Sequence, residues 1–262
     1  MRALSTAATG MMAMELNVQV ISNNLANMTT TSYKRQRAQF QDLLYDHVTR
    51  VGTQTSAQGN ILPVGIDLGS GVKTVGTARL MTQGTLSPTG NPLDVAIRGD
   101  GFFKIQLPDG TYAYTRDGSF TTDGQGRIVT AQGNIVMPAM TIPQNSSGLT
   151  INAQGQVSVI PQGTTTPTVL GQITLTRFIN QTGLLPIGDN LYTETPASGT
   201  PQDGTPNTDG AGDLQQSNLE QSNVESVSEI TNLITAQRAY EMNGKVITAA
   251  DQMLSSTSNL MR

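Results

Sequence analysis

Residues 4–28, LSTAATGMMAMELNVQVISNNLANM, repeat a large apolar side chain every seven positions, at Leu4, Met11, Val18 and Leu25. Ala7, Met14, Ile21 and Met28 follow each of these by three. An unbroken a/d pattern specifies a helix with a seam that something must cover, because a lone amphipathic helix is marginal in water. The other end of the chain keeps the same period through Leu233, Tyr240, Ile247, Leu254 and Met261. Ala239, Val246, Met253 and Leu260 stand one step before four of them. Two helices, near residues 4–27 and from about 224 onward, are therefore expected to pair as a coiled coil. The expected intrachain seam is Leu4, Met11, Val18 and Leu25 against Leu233, Tyr240, Ile247 and Leu254.

A second apolar line, Met12, Leu16 and Val20, runs along another side of the first helix. Only Arg2 and Glu15 are charged in the first 33 residues, where a solvated helix carries more. A helix apolar on two sides needs two partners. Burial inside one globular domain is the alternative, and the matching pattern at both chain ends disfavours it. Met12, Leu16, Val20, Val246 and Met253 are expected to meet neighbouring subunits. Ser222 and Asn223 are expected caps of the last helix, whose 36 or so residues would make a rod of roughly 54 Å.

The composition narrows the function. The chain has 262 residues, 13% charged and 4% aromatic, with a formal charge of −4. It lacks the clustered basic face of a nucleic-acid binder. There is no cysteine for a disulfide or a thiolate metal site, and one histidine, His47, falls in a polar segment. Arg2 ahead of a small apolar stretch imitates a secretory leader, but the heptad runs through it and Glu15, Asn17 and Gln19 interrupt the apolar run, so a mature helix is expected. No run approaches the roughly 20 apolar residues of a membrane-spanning helix.

Between the ends the period changes to two. Leu93, Val95 and Ile97 read as one strand face, and Phe103, Ile105 and Leu107 as the next. Further short strands are expected near residues 128–129, 135–137, 149–151, 157–160, 169–175 and 191–193. Asp117-Gly118 and Asp123-Gly124 read as turns needing positive φ. The fold class is α+β: paired N- and C-terminal helices and a central antiparallel β domain. Expected boundaries are 1–32 for the first helix, 33–70 for an extended connecting segment, 71–212 for the β domain and 213–262 for the last helix. The basic residues of 33–37 follow the first helix closely enough to favour its dipole, as a solvated cap or a docking patch.

Catalytic constellations are missing. RDGSFTTDGQGR, 116–127, has neither the alternating acids nor the terminal Glu of a calcium loop. Gly99 and Gly101 lack the third glycine, the Lys-Ser or Lys-Thr and the helix of a phosphate loop. No GxSxG elbow occurs. No catalytic, cofactor-binding or metal residue is expected.

Four ordered segments carry a resemblance. SNNLANMTTTSYKR (22–35), LDVAIRGDGFF (93–103), YTRDGSFTTDGQG (114–126) and SNVESVSEITNLITAQRAYEMNGKVITAADQML (222–254) resemble the signatures of bacterial flagellar rod and hook proteins. FQDLLYD (40–46), the polar stretch to Pro63, GSGV (69–72) and IGDNLYTET (187–195) are similar to the distal-rod members. Ser32 departs from the family, which usually has Gly or Asn there; a left-handed backbone would strain it.

The resemblance implies a structural protein without cofactor, small-molecule substrate or nucleic acid. It implies export unfolded through the flagellar type III apparatus, without a cleaved signal, and a rod crossing the periplasm. The subunits would form a hollow helical homo-oligomer, terminal helices inward and β domain outward, transmitting torque. Implied partners are other rod proteins below, hook protein above, the surrounding L and P ring proteins and the rod cap. Residues 46–63, with Asp46, Arg50, Gly59 and Pro63, are expected to be rod-specific. Other readings are another rod protein of similar size, a trimeric coiled-coil adhesin, and a secreted β-fold hydrolase using Asp94, Asp100 or Asp117.

Overall fold

A computed structural model of the chain describes residues 2–51, 64–163, 166–208 and 210–260. It is α+β, with one helix at each end and strands between them. Two compact units divide it: residues 1–26, 36–79 and 225–262 in one, 27–35 and 80–224 in the other. These divisions differ from the boundaries expected from sequence. Residues 27–35 belong with the β unit, and residues 36–79 belong with the helices instead of forming a separate connector.

The helical unit contains α1 (Arg2–Ala26) and α2 (Ser226–Leu260). It also contains the strands β1 (Gln36–Asp42), β2 (Tyr45–Thr49), β3 (Ile66–Gly69) and β4 (Val72–Arg79). β1 pairs antiparallel with β4, and β2 with β3. The amide of Leu43 donates to the carbonyl of Gly71 and that of Ser70 to Leu44, joining the two pairs into one ribbon. The ribbon meets α1 where Gly71 turns at φ 115°; a Cβ there would lie 2.2 Å from Thr9 Oγ1, so only glycine fits. α2 begins past Ser222 and Asn223. Asn223 does not cap it, being used within the β unit as described below.

The β unit opens with β5 (Leu86–Pro88), β6 (Val95–Arg98), β7 (Phe102–Gln106) and β8 (Tyr112–Thr115). Next come β9 (Thr121–Thr122), β10 (Ile128–Val129), β11 (Ile135–Met137), β12 (Ser146–Ile151), β13 (Gln156–Pro161) and β14 (Thr168–Gln172). It closes with β15 (Leu175–Arg177), β16 (Leu185–Gly188), β17 (Leu191–Thr193), β18 (Gln202–Gly204), β19 (Asp213–Gln216) and β20 (Asn218–Glu220). The main sheet runs β16-β17-β8-β7-β11-β10-β9, with β15 beside β7 and β18 beside β15. β12-β13-β14 form a second sheet, and the pairs β6–β19 and β5–β20 bring the end of the unit back to its beginning.

β7 is covered on both faces. Phe103 joins Val95, Ile97, Ile105, Phe120 and Leu175 in the larger core, and Phe102 joins Tyr114, Phe178, Leu184 and Tyr192 in the smaller. Consecutive strand residues point to opposite faces, so the adjacent phenylalanines serve two cores. The smaller core is aromatic edge-to-face packing, with Tyr114 and Phe178 centroids 4.8 Å apart at 82°. Such pairs add about 0.5–1.5 kcal/mol beyond their area. Gly118 is required for a reason other than positive φ: its Cβ would stand 1.7 Å from the carbonyl oxygen of Val95. In the next turn the positive φ falls on Gly126, at 80°, rather than on Gly124.

Candidate assembly surfaces and the buried clasp

α1 and α2 lie side by side and antiparallel. Asn24 Nδ2 donates to Glu229 Oε2 at 3.1 Å, and Gly10 faces the side chain of Asn243. The two crossings are fourteen residues apart on each helix. Asn24 also closes a two-bond ring with the start of β1: its Nδ2 donates to the Gln36 carbonyl and its Oδ1 accepts the Gln36 amide, both at 2.8 Å. The buried positions are Ala7, Ala13, Val20, Ile21 and Asn24 on α1, and Glu229, Ala236 and Ala250 on α2. Half of these are alanine, and small side chains suit a face where two helix backbones come close together.

The large residues expected in the seam flank that face. Leu4, Met11, Val18, Leu25, Leu233 and Ile247 are half-buried, while Tyr240 and Leu254 are exposed. Of the residues expected to meet neighbours, Met12, Val246 and Met253 are exposed and Leu16 is half-buried. Val20 is buried within the chain, on the face shared with Ala13 and Asn24, so the chain itself already covers it. Every described side chain from Asp251 to Asn259 is exposed. The last turns of α2 therefore carry Met253 and Leu254 into water.

The β2–β3 end of the ribbon is also uncovered. Leu44, Tyr45, Val48, Ile66 and Leu68 are all exposed. Asp46 pairs with Arg2 at 2.5 Å, and His47 Nδ1 lies 2.6 Å from Asp67 Oδ1. Arg50 is exposed, and Gly59 and Pro63 lie outside the described residues.

In the β unit the basic segment after α1 is neither a solvated cap nor a docking patch at Lys34, which is buried. Lys34 Nζ is 2.6 Å from Glu220 Oε1, and Arg116 Nε is 2.9 Å from Glu220 Oε2. Lys34 also donates to the Thr82 carbonyl, and the amide of Gly84 donates to Glu220 Oε1. Arg116 donates to the carbonyls of Gly101 and Gly99. Ser32, at φ 56°, donates its amide to the Glu220 carbonyl and its hydroxyl to the Arg116 carbonyl. Asn223 Oδ1 accepts the Arg35 amide, while its Nδ2 donates to the carbonyls of Leu80 and Thr82. Sequence reasoning missed this clasp, since a Lys amid other basic residues reads as solvated.

The carboxylates weighed for metal or catalysis are used in turns. Asp117 Oδ1 accepts the Ser119 amide; Asp123 Oδ1 accepts the amides of Gln125 and Arg127, the latter holding its carboxyl below the usual range. Asp94 is bonded to Asn91. Among the described residues no group of three or more potential metal-binding side chains occurs.

Comparison with known proteins identifies the class. Residues 4–34 match the family "Flagella basal body rod protein", residues 96–159 "Flagellar hook protein FlgE/F/G D1 domain", and residues 215–260 "Flagellar basal body rod FlgEFG protein C-terminal". The fold thus falls in the rod and hook class of flagellar proteins. The chain is similar to flagellar basal-body rod protein FlgG of Caulobacter vibrioides, 55% identical over 260 residues and 99% of each chain. It is similar to FlgG of Agrobacterium fabrum, 48% identical over all of both chains, and of Bacillus subtilis, 37% identical over all of both. The chain belongs to the FlgG family of flagellar basal-body rod proteins. It is a structural subunit of the distal rod and not an enzyme.

Proposed function

We propose that this rod subunit polymerises helically into a hollow, rigid shaft across the periplasm, between other rod proteins below and hook protein above. α1 and α2 pair as a coiled coil within each subunit, and their outward apolar residues seat against neighbouring copies. The observation that carries this reading is the uncovered apolar surface of the helices: Met12, Tyr240, Val246, Met253 and Leu254 are all exposed in the single chain. Head-to-tail contacts of one kind propagate into an open helix when the rotation does not close.

Residues 46–63 fix the packing between subunits and stiffen the shaft. Deleting them is expected to give curved or bendable rods in electron micrographs, and straight rigid rods would contradict that role. L and P ring proteins surround the shaft, and the type III export apparatus with the rod cap delivers subunits without a cleaved signal. The test is an image of basal bodies carrying an epitope-tagged copy of this chain. Label between the proximal rod and the hook supports the reading, and label confined elsewhere overturns it.

A further inference from the structure

Lys34, Arg116 and Glu220 place two cations and one carboxylate together out of water, their side chains 1%, 3% and 0% exposed. Breaking such a group by removing one partner is far costlier than never having built it, because the charge left behind stays buried. The order of the three along the chain gives that asymmetry a consequence. Lys34 and Arg116 precede Glu220 by 186 and 104 residues. A β unit that folded before Glu220 was in place would bury two cations facing each other with no counter-charge.

We propose that Glu220 is the closing element of a charge interlock, which keeps the β unit unfolded in an emerging chain until the passage 218–224 has been delivered. The backbone supports the same sequence of events. The passage that brings the carboxylate also satisfies residues 32–35: the Glu220 carbonyl takes the Ser32 amide, Asn223 Oδ1 takes the Arg35 amide, and the Asn223 amide donates to the Tyr33 carbonyl. β20, the last strand of the unit, carries Glu220 and pairs with β5. The interlock holds for any chain delivered amino end first, from a ribosome or through an export channel. When it closes, α2 is still to be delivered, so a subunit cannot present a finished β unit before residues 218–224 have arrived.

The test uses full-length chain and compares Glu220→Gln, Lys34→Met, the double variant, and the triple variant Lys34→Met, Arg116→Met, Glu220→Leu. Glu220→Gln is expected to move the folding equilibrium of the β unit, read by hydrogen exchange in urea, by about 100-fold or more. Adding Lys34→Met, which removes one orphaned cation, is expected to recover at least about tenfold of that. During synthesis of the full-length chain, protease resistance of the β unit should appear late in the natural sequence and earlier in the triple variant. Additive losses in the double variant overturn the proposal. So does an unchanged equilibrium in Glu220→Gln, or protection of the natural and triple-variant chains at the same time. Should Glu220→Gln fail to fold at all, recovery in the double or triple variant supports the interlock, and failure of both overturns it.

Discussion

Ser32 occupies left-handed backbone at φ 56° without being glycine or asparagine. The conformation costs roughly 1–2 kcal/mol for an ordinary residue, and the hydroxyl bond to the Arg116 carbonyl at 2.9 Å returns about 1. Ser32→Gly trades one for the other and should shift stability by less than about 1 kcal/mol, whereas Ser32→Val, β-branched at positive φ, should lose about 3; urea unfolding of the two variants checks both. The neighbouring carboxylate gives a pH signature. Burial pushes Glu220 up, but the Arg116 and Lys34 charges that face it outweigh burial and hold it below 4.5. Its folded value is depressed, so its contribution is complete above 4.5 and is lost as pH falls through the depressed value. Lys34 has the opposite linkage: burial first, then Arg116, lowers it below 10.5, so its charged form burdens the fold at neutral pH. The natural β unit should destabilise more steeply below pH 4.5 than Glu220→Gln does, measured by urea midpoints across pH. The strain at Ser32 was legible in the sequence from a departure in a recognisable motif. The burial of Lys34 was not, because its partner lies 186 residues away and no local pattern links them.

At the scale of elements, period was a good guide to type and a poorer one to contact. α1 and α2 lie where the heptads put them, and the strands near residues 102–106, 128–129 and 191–193 follow from short apolar runs between turns. The helix face was only partly legible: Ala7 and Ile21 belong to the repeat and are buried, whereas the buried Ala13, Ala236 and Ala250 lie outside it and the larger residues of the repeat fall on the flanks. The polar layer within that face was hidden, lying outside the repeat as well. Asn24 serves both Glu229 and the Gln36 backbone, fixing helix register and the start of the ribbon together. A buried polar side chain of this kind specifies alignment at some cost in stability. Asn24→Leu should therefore lose about 1–3 kcal/mol, and the double change with Glu229→Leu should lose less, read from helical circular dichroism in a urea titration. A loss in the double variant equal to the sum of the two single losses would show that the layer is not coupled. Turn glycines divide similarly: Asp123-Gly124 falls in a turn whose positive φ is on Gly126, whereas Gly118 answers to a carbonyl 1.7 Å from its missing Cβ, a constraint set by β6 and invisible locally.

At the scale of the whole molecule, the helix pair leaves several of its large apolar residues exposed, among them Met12, Tyr240, Val246, Met253 and Leu254. Met12 is 67% and Met253 64% exposed, and the proposed contacts between subunits rest on such residues. α1 carries only Arg2 and Glu15 as charges, so covering its apolar side costs little desolvation. The central claim is that these outward faces build the rod, and Met253→Asp tests it without disturbing the fold, since the residue lies on the exposed end of α2. Basal bodies isolated from cells whose only copy carries Met253→Asp should lack a distal rod and hook, the cells should not swim, and the purified variant should keep the helix content of the natural chain. Full-length rods and normal swimming in those cells would contradict the account.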